Sequence, residues 1–273
     1  MPGPYTSSQK AAISEYTGIT QQDKSSAAKL LKQYGWNVQN TVNAFFNSNA
    51  NGNPNNSTRN SLNKTFDSYR DDPKSEPDEI NLEGTIKLCE DLNIKLDDIG
   101  SFAFFELVQS PALGKITREG FVDAFSEANS DSISRMRNLV LQRRSRLTTD
   151  RKLFKDVYNH TFVLPLEERK KAIELEQAEE FWKVLFSPTG LQWQTKNTPW
   201  LSWWLEFLNA KWKRAVNKDL WKQTLTFAEQ TLKDESLGFW NEESSWPSVI
   251  DEFVEWVKTE KRPSGGEDAM EVE

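Results

Sequence analysis

Cysteine and histidine are almost missing from this chain. Among 273 residues there is one thiol, Cys89, and one imidazole, His160. A single cysteine excludes an internal disulfide, and no Cys/His cluster has the spacing of metal ligands, so a reducing setting, nucleus and cytoplasm, is the expectation. Long apolar runs are missing too. None approaches the roughly 20 residues that cross a bilayer, and residues 1–10 lack the apolar stretch of a secretory signal, which leaves no membrane partner to expect. Basic charge is in deficit, with a formal net charge of -7, the wrong sign for neutralising phosphates; nucleic acid is excluded as a general partner. The phosphate-binding and nucleophile-elbow patterns GxxxxGK[ST], GxGxxG and GxSxG do not occur. His160 has no serine, cysteine or metal-ligand neighbour of recognisable spacing, and Cys89 lies on an apolar stripe where burial is expected rather than reactivity. Acidic pairs such as Glu179 and Glu180 read as a solvated helix face. The chain is therefore expected not to be an enzyme and to need no cofactor.

What is present is a 37% hydrophobic content, enough for a sizeable core, and 11 tryptophans, ten of them between Trp182 and Trp256. That density implies either a large rigid core or a protein-binding face in the second half. Apolar residues recur at helical spacing almost throughout, so the fold class is all-α. Residues 7–48 read as three short helices. The first carries Ala11, Ala12, Ile13 and Tyr16 and is expected to stop at Gly18, which permits the positive φ of a helix end. The second carries Ala27, Ala28, Leu30 and Leu31 and ends at Tyr34-Gly35. The third runs from about Val38 through Phe45 and Phe46. This stretch resembles a ubiquitin-associated (UBA) domain, whose loop after the first helix and last helix form an apolar face. The resemblance implies ubiquitin binding, or binding of a ubiquitin-like protein, by Gly18, Ile19 and Phe45, with Ile19 standing where the family usually has an aromatic. The alternative is that Ile19 and Phe45 only fill the core.

Residues 49–62 are rich in Asn, Gly and Ser with almost no apolar side chain, and read as a flexible linker. Residues 259–273 read as a disordered tail. Between them, residues 63–258 carry helical stripes such as Ile86, Cys89, Leu92 and Ile94, then Phe102, Phe105 and Val108, then Phe121, Ala124 and Phe125, followed by six further segments, about nine helices in all. Two short stretches, Glu79 to Leu82 and Gly114 to Thr117, each precede a helix as the paired strands of two EF-hands would. Calcium is not expected, because the first loop lacks the central glycine and alternating ligands and the second lacks almost every oxygen ligand.

The segment Trp240 to Trp256 is the most informative. A turn leads to Trp246-Pro247, where proline opens a helix at no cost, and Val249, Ile250, Phe253 and Val254 turn one face inward. Upstream, Lys218-Asp219-Leu220-Trp221 opens another helix with its acid in the first turn. These two pieces, with Leu88-Cys89 to Leu92, Phe154 to Tyr158 followed by Phe162, and Ala178 to Trp182, resemble the defective-in-cullin-neddylation family, fungal-type members with a UBA domain ahead of a potentiating-neddylation domain.

The resemblance implies a scaffold-type E3 without catalytic residues, which promotes the attachment of a ubiquitin-like modifier to cullins. Its cullin-binding positions map onto Asp219, Ser245 and Asp251, an acidic ledge for the basic winged-helix end of a cullin; Ser245 stands where the family commonly has alanine. A second surface, an apolar pocket for the acetylated initiator methionine of the neddylation E2, maps onto Thr85, Ser101, Phe102, Phe104, Val108, Ile116, Phe162, Phe181 and Leu185. The RING-box protein that accompanies cullins is a further implied partner. The alternative reading is a ubiquitin-receptor adaptor whose helical domain serves an unrelated cargo.

Overall fold

The structure is a computed structural model, and it describes residues 5–20, 24–42, 54–74, 77–166, 170–241 and 243–262. The chain divides into two compact units, residues 1–61 and residues 62–273. The architecture is all-α, with two-residue strands as its only sheet among the described residues.

The first unit holds α1 (Ser7–Thr20), α2 (Lys24–Gln33) and the start of α3, described over residues 38–42. Ala12, Ile13 and Tyr16 of α1 meet Ala27, Ala28 and Leu31 of α2, and the alanines let the two helices approach closely. After α2, Gly35 and Trp36 both take left-handed backbone angles, φ 62°. The Trp36 amide then donates to the Leu31 carbonyl at 2.7 Å, closing the helix as a left-handed cap does. Asn37 starts α3 by accepting from the Asn40 amide at 2.9 Å.

Gly18 does not end α1. The helix continues to Thr20 and Gly18 is not among the positive-φ residues. Hydroxyls of Thr17 and Thr20 donate to the carbonyls of Ser14 and Tyr16, so local side-chain bonds tie down the last turn, and a helical glycine is tolerated there.

Helix α4 (Pro54–Asp67) runs through the division at residues 61 and 62, so the expected linker is helical from Pro54 onward. Proline can open a helix because its missing N–H belongs to an orphan position, and Leu62 and Phe66, one turn apart, are fully buried. Two apolar anchors outweigh a run of weak helix formers. Residues 49–53 lie outside the described residues.

The strands β1 (Glu79–Ile80) and β2 (Ile116–Thr117) pair antiparallel, as the EF-hand-like reading anticipates, and precede α5 (Leu82–Asp91) and α7 (Arg118–Glu127); α6 (Ile99–Leu107) lies between. The first loop is held by ion pairs. Arg118 donates to Asp78 Oδ2 at 2.6 Å and Asp67 Oδ1 at 2.5 Å, and Arg70 to Asp78 Oδ1 at 2.6 Å. Guanidinium groups occupy carboxylates that a cation would otherwise use. A second antiparallel pair, β3 (Ala172–Ile173) with β4 (Val216–Asn217), precedes α10 (Leu175–Leu185) and α12 (Lys218–Lys233) and escaped the sequence reading. Helices α8 (Ile133–Arg146) and α9 (Arg151–Thr161) connect the two halves; α11 (Trp200–Phe207) runs into a π-helical turn, Leu208–Trp212, and α13 (Ser248–Trp256) into another, Val257–Lys261. Asn81, Asp98, Thr117, Ser132, Asp150 and Asn217 cap α5 to α9 and α12 by accepting first-turn amides.

The tryptophans are chiefly core. Trp182, Trp193, Trp200, Trp204 and Trp221 are fully buried. At their centre Trp182 Nε1 donates to Tyr158 Oη at 2.9 Å, and Tyr158 Oη donates to the Trp221 carbonyl at 2.8 Å. The Trp182 and Trp221 rings stack 5.3 Å apart. Order also extends past the expected start of the tail: Lys261 pairs with Glu206 at 2.7 Å, and Arg262 donates to the Glu235 carbonyl at 2.7 Å with its guanidinium 5.1 Å from the Trp200 ring centroid. Residues 263–273 lie outside the described residues.

Candidate functional site

Two surfaces of the second unit carry the predicted site residues. The first is a cavity of about 370 Å³ between α5, α6 and α10, lined by Thr85, Ser101, Phe102, Phe105, Phe181 and Val184 and closed at its mouth by the loop at Leu113-Gly114. Phe102 meets Phe181 edge-on at 5.2 Å. Four of the nine predicted pocket residues, Thr85, Ser101, Phe102 and Phe181, line this cavity. Phe104, Val108, Ile116, Phe162 and Leu185 do not: they are core residues, each at most 2% exposed. Helix α6 is apolar all round and buried from Ile99 through Phe105, so its pattern marks no face. Phe102 and Phe105, three residues apart, face the cavity, while Phe104 turns to the core and Phe162 packs 5.8 Å from the Trp221 ring.

The sequence reading missed the mouth. Leu82, Ile86, Leu96 and Leu113 ring the cavity, and they are exposed at 60%, 36%, 50% and 43%. Half of the large apolar side chains exposed among the described residues thus gather at one opening, the mark of a surface that meets a partner. The available signal was leucine at loop or first-turn positions, where no stripe calls for it.

The mouth is rigid. The Leu113 amide donates to the Leu164 carbonyl at 2.9 Å. Gly114 sits at φ 71°, a left-handed backbone angle that any Cβ would strain, and packs beside Leu82. The Thr85 hydroxyl oxygen is buried without a hydrogen-bond partner among the described residues and has no surface open to the cavity, so the wall that Thr85 contributes is apolar. The Ser101 hydroxyl, by contrast, donates to the carbonyls of Asp98 and Leu96. Asp97 and Glu180 are the two acidic side chains in the wall.

The second comprises the segments of Asp219, Ser245 and Asp251, one at the start of α12 and one leading into α13. Asp219 is exposed in the first turn of α12, behind Asn217, whose side chain accepts the Leu220 amide at 2.8 Å. Ser245 is exposed in the turn before α13, and Asp251 is half-buried in the first turn of α13. Ser245 and Asp251 therefore share one short segment. That segment is fixed on α12 by Trp246 and Phe239, each 5.7 Å from the Phe227 ring. Asp219 precedes Phe227 by eight residues on the same helix, about 12 Å of rise. Lys218 and Lys222 flank it in sequence, so this end of the surface mixes signs.

In the first unit, Gly18 and Ile19 lie on the last turn of α1, with Ile19 half exposed; Phe45 lies outside the described residues. Neither candidate nucleophile is poised for chemistry. Burial pushes the Cys89 thiol up to about 12, and burial holds the His160 imidazole below its ordinary range, so at neutral pH one is a protonated thiol and the other a neutral ring.

Comparison with known proteins bears on both units. Residues 10–52 match the family model described as a UBA-like domain, and residues 135–256 match the one described as Cullin binding. The second match contains Asp219, Ser245 and Asp251, whereas most of the cavity lies ahead of it. The chain is 35% identical to the Defective in cullin neddylation protein 1 of Pyricularia oryzae over 99% of both chains. It is 28% identical to the protein of that name from Yarrowia lipolytica, over 88% of this chain and 93% of the relative, and 23% identical to that from Saccharomyces cerevisiae, over 93% and 96%. Fold and matches together define an all-helical protein that pairs a UBA-like module with a domain of the cullin-binding class. The chain belongs to the defective-in-cullin-neddylation family.

Proposed function

We propose that this protein is a non-catalytic scaffold-type E3 of cullin neddylation, which docks the acetylated amino terminus of the neddylation E2 in the cavity and the winged-helix end of a cullin on the ledge of Asp219, Ser245 and Asp251. The observation that carries the reading is the cavity itself, an apolar chamber with four exposed aliphatic side chains at its mouth. An acetylated methionine suits that chemistry. Acetylation removes the amino-terminal charge, so the chain end enters without burying an ammonium. The exposed leucines and Ile86 then receive the apolar face of the following helix.

On the other surface, carboxylates opposing lysine or arginine orient the cullin, with modest energy from each rim pair. No residue of this chain touches the thioester or the acceptor lysine. Holding E2, cullin and its RING-box partner in one assembly raises their effective concentration and limits them to productive orientations, and transfer accelerates through proximity. The first unit adds a weaker contact to ubiquitin or the modifier through the turn at Gly18 and Ile19.

The test is charge reversal on the ledge. The Asp219→Arg, Asp251→Arg variant stays helical by circular dichroism and loses most of its stimulation of cullin modification in a reconstituted reaction. Full stimulation by the folded variant removes the assigned ledge.

A further inference from the structure

We propose that Trp240 is a positioning residue of the acidic ledge, its indole N–H setting the orientation of the Asp251 carboxylate that meets the cullin; this rests on the ledge reading above. Trp240 Nε1 donates to Asp251 Oδ1 at 2.8 Å. Among the described residues that indole is the one side-chain hydrogen-bond partner of Asp251, and no lysine or arginine pairs with it. The second oxygen, Oδ2, remains for a basic side chain from outside.

Trp240 differs from the other tryptophans around it. Its ring is half-buried and joins none of the aromatic pairs among the described residues, whereas Trp246 packs on Phe227 and Phe239. The ring is set from two sides. Its backbone amide donates to the carbonyl of Leu237 at 3.0 Å, in a turn where Leu237 is buried at φ 67°. Lys258 Nζ stands 3.9 Å from the ring centroid and is itself tied to Glu255 Oε1 at 3.1 Å. A cation over the indole face holds its plane, and an N–H aimed at a carboxylate makes a charge-assisted bond. A half-buried aspartate without such a donor would sample several rotamers, and ordering it at the moment of docking costs affinity. The chain Lys258, Trp240, Asp251 removes that cost beforehand.

The test is a double-mutant cycle in the full-length chain, with the isolated winged-helix domain of a cullin as titrant. Trp240→Phe keeps a ring under Lys258 and deletes only the donor; it weakens binding about tenfold. Asp251→Ala weakens binding at least as much, and the double variant binds no more weakly than Asp251→Ala alone. Without any cullin present, Asp251→Ala shifts the Trp240 indole N–H resonance in a ¹⁵N-labelled spectrum, a readout that needs no tryptophan variant. The proposal is overturned if Trp240→Phe costs the same factor on the Asp251→Ala background, which is packing alone, or binds like the wild type while Asp251→Ala is weakened. Wild-type affinity of Asp251→Ala removes the ledge reading itself, and with it this proposal.

Discussion

Thr85 and Asp98 show how single side chains divide between site and scaffold. The Thr85 hydroxyl makes no hydrogen bond among the described residues, although it is buried. Thr85→Val keeps the volume and removes an unsatisfied polar atom that is closed off from the cavity, so thermal stability holds or rises by up to about 1 kcal/mol and affinity for an acetylated amino-terminal peptide is unchanged; a variant that melts markedly lower would show that the hydroxyl is structural. Asp98 belongs to the scaffold. Its Oδ1 accepts the Gly100 amide at 2.8 Å and its two oxygens accept from Arg144 at 2.6 and 2.7 Å, and the Arg144 hydrogen bonds hold its carboxyl below the usual carboxylate range. A carboxyl depressed on folding stabilises the protein above its unfolded pKa near 4, and that contribution is lost as pH falls through the lower folded value. Asp98→Asn retains the cap but not the charge. It costs about 1 kcal/mol at pH 7, and melting curves of variant and wild type should converge as pH falls through the lowered folded value; a gap unchanged with pH would contradict the pairing. Of the site, the sequence made legible which residues are apolar and which acidic. It could not separate Phe102 from Phe104, because a helix buried on every side offers no polar face by which to orient it.

At the scale of elements, legibility followed the length of the repeating pattern. Helices such as α9, α10 and α12, each three turns or more with strong apolar stripes, fall within a few residues of their sequence expectation. Ala172–Ile173 and Val216–Asn217 do not announce themselves, since two residues cannot display alternation; only their positions before α10 and α12 give them meaning. Helix α4 hid behind asparagine and serine, and its two anchors, Leu62 and Phe66, become visible only once a core exists to receive them. Gly18 is the reverse case, a strong local stop signal that helical hydrogen bonding overrode. The consequence is a prediction with a sign. A Cβ at Gly18 meets nothing within 4 Å, so Gly18→Ala should stabilise the first unit by about 0.5–1 kcal/mol. A loss of stability would mean that Gly18 leaves the helix as its sequence context suggests.

The molecule as a whole assigns different jobs to its tryptophans and its leucines. Trp182, Trp193, Trp204 and Trp221, hydrogen-bonded or stacked around Tyr158 and Phe227, make the second unit rigid. The leucines exposed around the cavity spend apolar surface on solvent that folding alone would have covered. As the proposed scaffold the protein uses both features, the apolar mouth for one partner and the carboxylates of α12 and α13 for another. The most direct measurement is a calorimetric titration of the full-length chain with paired peptides from the amino terminus of the neddylation E2, acetylated and unacetylated. Because an unpaired ammonium costs several kcal/mol to bury, the acetylated peptide should bind at least about tenfold more tightly, with polar substitutions at Leu96 or Leu113 weakening it. Equal affinities for the two peptides, or binding indifferent to those substitutions, would contradict the account.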